Sequence, residues 1–174
     1  PPGPVHLDLP EDVALALATE AVPDLEKPCR KSEAPTKNIS NAIKIVSKAK
    51  RPIALIGSNA MRMLNGDLLR TFVEHVGLPF ATTTMAKGLV DEHHPLSLGC
   101  IERACRQLQR KILQSADLII GLGYDTIEVE YEAWINDKPL VQIDIEPVDV
   151  ASTVDLREEV IGDLDTSISA MVEG

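Results

Sequence analysis

The run Leu118-Ile119-Ile120-Gly121-Leu122 constrains this chain more than any other stretch. It has no polar member and no alternation between a wet and a dry face, the pattern of a strand buried on both sides of a parallel sheet. Parallel strands need crossovers of a dozen or more residues, usually helical. A second run, Leu140 to Ile145, alternates in part and is expected nearer an edge. The first run ends in Gly123-Tyr124-Asp125 and the second in Asp144-Ile145-Glu146-Pro147. Ligands of open parallel sheets bind at the carboxyl ends of the strands, so a small-molecule site is expected around these residues.

Two more apolar runs precede these, Ile53–Gly57 and Phe80–Thr84. Pro52, Pro79 and Pro139 each stand just before a run, where the sheet ladder has not yet begun and a missing N–H costs little. Helical spacing appears between the runs. Ile39, Ala42, Ile43, Val46 and Ala49 share one face, with Thr36 or Asn38 as the expected cap. Leu68, Leu69, Phe72, Val73 and Val76 form a second stripe that Gly77 is placed to end in a left-handed conformation. Residues 85–95 read as an irregular loop and Leu96–Cys100 as a brief strand. A helix follows with Ala104, Cys105, Leu108, Ile112 and Ala116 near one face. Glu159–Gly162 reads as a last short strand. Leu164, Ile168, Met171 and Val172 read as a closing helix capped by Asp163 or Asp165. This order predicts an α/β fold, a doubly wound, mostly parallel sheet with helices on both faces, of the Rossmann-like, DHS-like NAD/FAD-binding type.

The first third of the chain is different. Val5–Leu9 alternates as a short strand does, and Pro10-Glu11-Asp12 can open a helical turn. Residues 19–37 carry charges interleaved with Pro23, Pro28 and Pro35 and read as an extended linker. Residues 1–35 are therefore expected to be the end of a preceding domain plus a linker, and 36–174 a second domain. The opening Pro-Pro-Gly-Pro has no initiating Met, so the chain is expected to be part of something longer. A formal charge of −10 argues against nucleic acid and anionic membranes as partners. No apolar run approaches the roughly 20 residues of a membrane span. Cys29, Cys100 and Cys105 show no metal spacing and are expected as reduced thiols of a cytoplasmic protein.

Candidate binding residues follow from the strand ends. Gly57-Ser58-Asn59 could offer backbone N–H groups to a phosphate, although no Gly-x-Gly-x-x-Gly motif is present. Gly121-Leu122-Gly123 is half of that fingerprint, and Asp144 follows at a distance from which an acid can bind a ribose hydroxyl. Residues 112–137, however, hold no Lys or Arg and several acids, among them Asp125 and Glu128, which repel a diphosphate. Lys87 with Gly88 is the best cationic candidate at a ligand mouth. The nucleotide set is thus Gly57, Ser58, Asn59, Lys87, Gly88, Gly123 and Asp144. Adjacent His93 and His94 lack ligand spacing, and no nucleophile–base or acid–base pair stands out. No catalytic or metal-binding residue is assigned.

Several segments together resemble the central domain of thiamine-diphosphate-dependent enzymes, acetolactate synthase above all. The opening Gly3-Pro4-Val5-His6-Leu7-Asp8-Leu9-Pro10-Glu11-Asp12-Val13 resembles the end of that family's first, pyrimidine-binding domain, and Arg51-Pro52 with the strand to Gly57, Leu78-Pro79-Phe80 and Thr82-Thr83-Thr84-Met85-Ala86-Lys87-Gly88 resemble the central domain itself. His94-Pro95-Leu96-Ser97-Leu98-Gly99, Ala116 to Gly123 and Ile143-Asp144-Ile145-Glu146-Pro147 complete them. Two departures point away from the flavin-containing type. Cys100-Ile101-Glu102-Arg103 stands where a Gly-His-rich turn is usual. Tyr124-Asp125-Thr126-Ile127-Glu128 stands in place of an Arg-Phe-Asp-Asp-Arg-like run. The Gly-Tyr-Asp-x-Ile-Glu run, with Trp134 and Asn136, is more similar to the catabolic, flavin-independent enzymes. The resemblance implies a parent that decarboxylates a 2-keto acid such as pyruvate and transfers the two-carbon unit. Thiamine diphosphate and Mg²⁺ would be held by the first and third domains, its partners here, in a homodimer or homotetramer. It implies a non-catalytic scaffold role for this chain. A regulatory module binding FAD or an ADP-type nucleotide is the alternative.

Overall fold

The computed structural model describes residues 3–18, 32–102, 106–128 and 138–174. Expectations for Cys29, Arg103, Ala104, Cys105, Trp134 and Asn136 fall outside them. Six strands form one sheet: β1 Pro52–Ile56, β2 Phe80–Thr83, β3 Ser97–Ile101, β4 Leu118–Leu122, β5 Leu140–Asp144 and β6 Leu156–Ile161. Their spatial order is β3-β2-β1-β4-β5-β6, and every neighbouring pair is parallel. Both β4 and β5 are buried along their whole length, which explains why Leu118–Leu122 carries no polar residue. β5 lies one strand in from the β6 edge.

Helices α2 Thr36–Val46, α3 Asp67–Val76 and α5 Leu164–Glu173 cover one face. Ala42, Val46, Leu69, Phe72, Val73, Ile168 and Met171 pack there on Ala54, Ile56, Phe80, Ile120 and Val141. The opposite face holds Ile53, Leu55, Ala81, Ile119 and Leu140 under Leu113 of α4, Arg106–Gln114, and under Val154 of the β5–β6 connection. The helical period thus places most stripes correctly. Leu108 is a miss, because it is 66% exposed while Leu113 and Ile112 supply the packed side of α4.

Helix ends show what the loops do. Gly77 ends α3 at φ +65°, the left-handed cap expected, with its N–H donating to the carbonyls of Glu74 and Val73. Asp163 caps α5 by accepting from the Thr166 N–H. Asp165 serves elsewhere, accepting from the Leu64 and Asn65 N–H groups at 3.0 and 2.7 Å. At α2 the expected cap is absent. Pro35 occupies the position, and Asn38 instead donates to the Glu158 carboxylate and the Glu159 carbonyl, fastening the helix to β6.

Residues 3–18 contain only α1, Glu11–Leu15, and no strand. Val5, Leu7, Leu9, Val13, Leu15 and Leu17 are all exposed. An alternating segment becomes a strand only when a neighbouring strand accepts its ladder, and none does so among the described residues. Part of the expected linker is packed: Ala34 is buried, and the Asp163 N–H donates to the Ser32 carbonyl. The sheet's packed body therefore extends to Ser32.

Gly77 has open space where a Cβ would stand. Gly77→Ala is expected to cost roughly 1 kcal/mol from the left-handed backbone alone, and Gly77→Asn less, as read by urea denaturation.

Candidate functional site

The order 3-2-1-4-5-6 reverses between β1 and β4, and open α/β sheets bind ligands at the carboxyl ends flanking such a reversal. In this chain the two loops close on each other. The Gly57 N–H donates to the Leu122 carbonyl at 3.0 Å, the Asn59 N–H to the Gly123 carbonyl at 3.0 Å, and the Gly123 N–H to the Ile143 carbonyl at 2.9 Å. A Cβ on Gly57 would run into the Tyr124 backbone and stand 2.6 Å from the Gly123 oxygen. Gly123, at φ +58°, has the Ala60 N–H against the place of its missing Cβ. Both glycines are explained by backbone meeting backbone.

The donors at the reversal have partners from the chain itself. The Glu128 carboxylate accepts from the Ser58 N–H at 2.9 Å, the Asp125 N–H at 3.3 Å and the Thr83 hydroxyl at 2.6 Å. One carboxylate thereby ties the loops after β1 and β4 to the last residue of β2. Its two oxygens take the donors that a phosphate would use.

Asp144, at the end of β5, is 3% exposed. It accepts from Asn59 Nδ2 at 3.0 Å, Gln142 Nε2 at 3.0 Å and the Ile145 N–H at 2.6 Å. Burial pushes its carboxyl above the ordinary range, the nearby Glu146 adds to this, and the three donors oppose it. Gln142 also donates to the Tyr124 carbonyl at 2.8 Å and lies over Gly121, so a side chain there would displace it. Its Oε1 is buried without a donor.

Five of the seven candidate residues therefore converge: Gly57, Ser58, Asn59, Gly123 and Asp144. Lys87 and Gly88 sit on the loop after β2, where Lys87 Nζ lies 3.5 Å from Glu92 and Gly88 has φ +88°. Sequence reasoning missed Thr83, Glu128 and Gln142. Glu128 was visible only as one acid in an acidic stretch, and its partners lie 45 and 70 residues away. Adjacent His93 and His94 turn to different acids, Asp91 and Glu74. Among the described residues no group of His, Cys, Asp and Glu converges as metal ligands, and no helix is long and apolar enough to cross a membrane. The donor set does not fit a diphosphate: Ser58 is committed to Glu128 and Asn59 to Asp144. Neither thiamine diphosphate with Mg²⁺ nor FAD finds a cradle in these residues.

These features define a parallel α/β domain with Rossmann strand order whose reversal point is filled from within. The thiamine pyrophosphate enzyme central-domain family matches residues 39–171, and the chain belongs to it. It is 32% identical over 171 residues to the probable acetolactate synthase large subunit of Methanococcus aeolicus, covering 93% of this chain and 28% of that protein. It is 30% identical over 179 residues to the oxalyl-CoA decarboxylase of Escherichia coli (strain K12), covering 98% of this chain and 30% of the relative. A solved structure assigned to the thiamin diphosphate-dependent enzymes, from Mycobacterium smegmatis, superposes with a TM-score of 0.67 at 20% identity. That match covers 91% of this chain and 30% of the other, and it shows the shared fold. The chain thus spans about three-tenths of the length of these relatives.

Glu128→Ala leaves the Ser58 N–H and the Thr83 hydroxyl without their charged acceptor and is expected to cost roughly 2 kcal/mol in urea denaturation. Glu128→Gln, which keeps one acceptor oxygen, should cost about half as much. A second expectation concerns pH. The folded state holds the Asp144 proton more tightly than the unfolded chain, so this group's contribution to stability falls as pH rises above the ordinary carboxylate range. Relative to Asp144→Asn, the wild-type chain should therefore gain stability on acidification from pH 7.5 to pH 4, measured by thermal unfolding across that range.

Proposed function

We propose that this chain is the non-catalytic central domain of a thiamine-diphosphate enzyme that decarboxylates a 2-oxo carboxylate. The observation that carries the scaffold role is the Glu128 carboxylate seated on Ser58 and Thr83, because it fills the reversal point of the sheet with the chain's own charge. The parent's chemistry is supported by the two named relatives. Pyruvate and oxalyl-CoA share a carboxylate next to a carbonyl, and loss of that carboxylate as CO₂ is the step the two reactions have in common. Thiamine diphosphate and Mg²⁺ would be bound by the parent's other domains, and this chain would hold those domains in place. The transfer of a two-carbon unit from pyruvate, assembly as a homodimer or homotetramer, and a cytoplasmic location complete the reading. Residues 3–18 fit it as well, since their exposed apolar side chains would be covered by a preceding domain.

The test is a pair of measurements. The full-length parent should release CO₂ from pyruvate only with thiamine diphosphate and Mg²⁺ present, while the 174-residue chain should be inactive and give no saturable heat with FAD or ADP. Saturable binding of either nucleotide to this chain, abolished by Asp144→Ala, would overturn the scaffold reading.

A further inference from the structure

Asparagine followed by glycine occurs once in the chain, at Asn65-Gly66. The pair stands just ahead of α3, and Asn65 is exposed and belongs to neither helix nor strand. Its side-chain amide has no partner among the described residues, and neither has the Gly66 N–H. The other asparagines of the described residues are held. Asn38 Nδ2 donates to the Glu158 carboxylate and the Glu159 carbonyl, and Asn59 Nδ2 donates to Asp144. Asn41 sits inside α2, where the helix engages the N–H that follows it.

Gly66 is not needed for its backbone freedom. It has φ −63° and ψ −22°, an ordinary right-handed conformation, and a Cβ there would meet nothing within 4 Å. The fold thus leaves an amide carbon and the next backbone nitrogen side by side, unbonded, wet and uncrowded.

We propose that Asn65 is a site of spontaneous deamidation in the folded chain, and that its conversion loosens the tie between the entry to α3 and α5. The Gly66 nitrogen, after giving its proton to hydroxide, bonds to Asn65 Cγ. The Cγ–Nδ2 bond breaks, and ammonia leaves with a proton from water. The product is a five-membered succinimide ring. Water then opens the ring at one of its two carbonyls. Opening at Cγ breaks the bond from Cγ to the Gly66 nitrogen and leaves aspartate. Opening at the main-chain carbonyl breaks the original peptide bond and leaves iso-aspartate, with the chain routed through Cβ and Cγ. Overall one water is consumed, one ammonium released and one carboxylate gained.

The place of that carboxylate gives the reaction its consequence. Asp165 of α5 accepts from the Leu64 and Asn65 N–H groups at 3.0 and 2.7 Å. Either product puts a second negative charge on the residue whose N–H Asp165 holds, and the two repel. Iso-aspartate also inserts a methylene between that N–H and the first turn of α3. There the Leu68 N–H donates to the Asn65 carbonyl at 3.3 Å and the Leu69 N–H to the Gly66 carbonyl at 3.1 Å.

Incubation of the 174-residue chain at pH 8 and 37 °C tests this, read by isoelectric focusing and by peptide mapping with electron-transfer fragmentation. Asn65 should convert to a mixture of aspartate and iso-aspartate while Asn38, Asn41 and Asn59 stay intact. Gly66→Ala should slow the conversion roughly tenfold, because a Cβ narrows the conformations open to the attacking nitrogen. The same variant should leave the thermal midpoint of the fresh chain no lower, since the site accepts a Cβ. The aged wild-type chain should melt below the fresh one, and aged Asp165→Asn should lose less, having no opposing charge. An Asn65 that stays intact in the folded chain, whatever its fate in urea, would overturn the site, as would an unchanged rate in Gly66→Ala. Full conversion with no fall in the midpoint would overturn the loosening.

Discussion

Parallel strands crowd their carboxyl ends into one rim, and the backbone donors freed there need acceptors. In this domain two carboxylates of the chain serve as acceptors beside the backbone carbonyls of Leu122, Gly123 and Ile143. Glu128 satisfies Ser58, Asp125 and Thr83, and Asp144 satisfies Asn59, Gln142 and Ile145. Glu128 joins the loops after β1 and β4 to the end of β2, beside the backbone bonds from Gly57 to Leu122 and from Asn59 to Gly123. Gly57 and Gly123 then permit the remaining approach of backbone to backbone.

The same device recurs at other loops. Asp117 accepts from the Lys50 and Arg51 N–H groups at 2.8 and 2.9 Å ahead of β1. Glu159 accepts from the Val148 N–H, Asp163 from the Thr166 N–H, and Asp165 from the Leu64 and Asn65 N–H groups. A charged acceptor makes each of these bonds stronger than a neutral one would, by a factor of about two. The formal charge of −10 is therefore partly structural. Acids that composition shows only as a deterrent to polyanions act here as loop fasteners.

A sheet fastened in this way suits a supporting role. The central-domain family to which the chain belongs shares its fold with larger thiamin diphosphate-dependent enzymes. A support must keep fixed geometry between the parts it joins. A carboxylate bonded to three segments at once, as Glu128 is, resists their relative movement better than contacts between apolar side chains, which carry no direction. Among the described residues Gln142 Oε1, beside Asp144, is a buried acceptor without a donor, as are the buried Thr82 Oγ1, Glu92 Oε1 and Ser167 Oγ without partners.

Much of the architecture is written in local pattern. The unalternating Leu118–Leu122 run, the prolines at the starts of β1, β2 and β5, the stripe from Leu68 to Val76 and the glycine after it depend on neighbours within a few residues. Each reads correctly from the chain alone. The family signature is likewise linear. Pattern failed where burial depends on what lies opposite: Leu108 faces water despite its spacing, Asn38 turns from cap to β6 tie, and Val5–Leu9 finds no strand to pair with. The strand order 3-2-1-4-5-6 and the filling of its reversal point were decided by the tertiary structure. Glu128 meets partners 45 and 70 residues away and Asp144 meets Asn59 across 85, and separations of that length follow no helical or strand period. The sequence by itself determined which segments are strands and helices and which family they compose. Only the folded chain decided that its own carboxylates occupy the place where a ligand's charge would go, because a hydrogen bond requires a position in space that local periodicity does not specify.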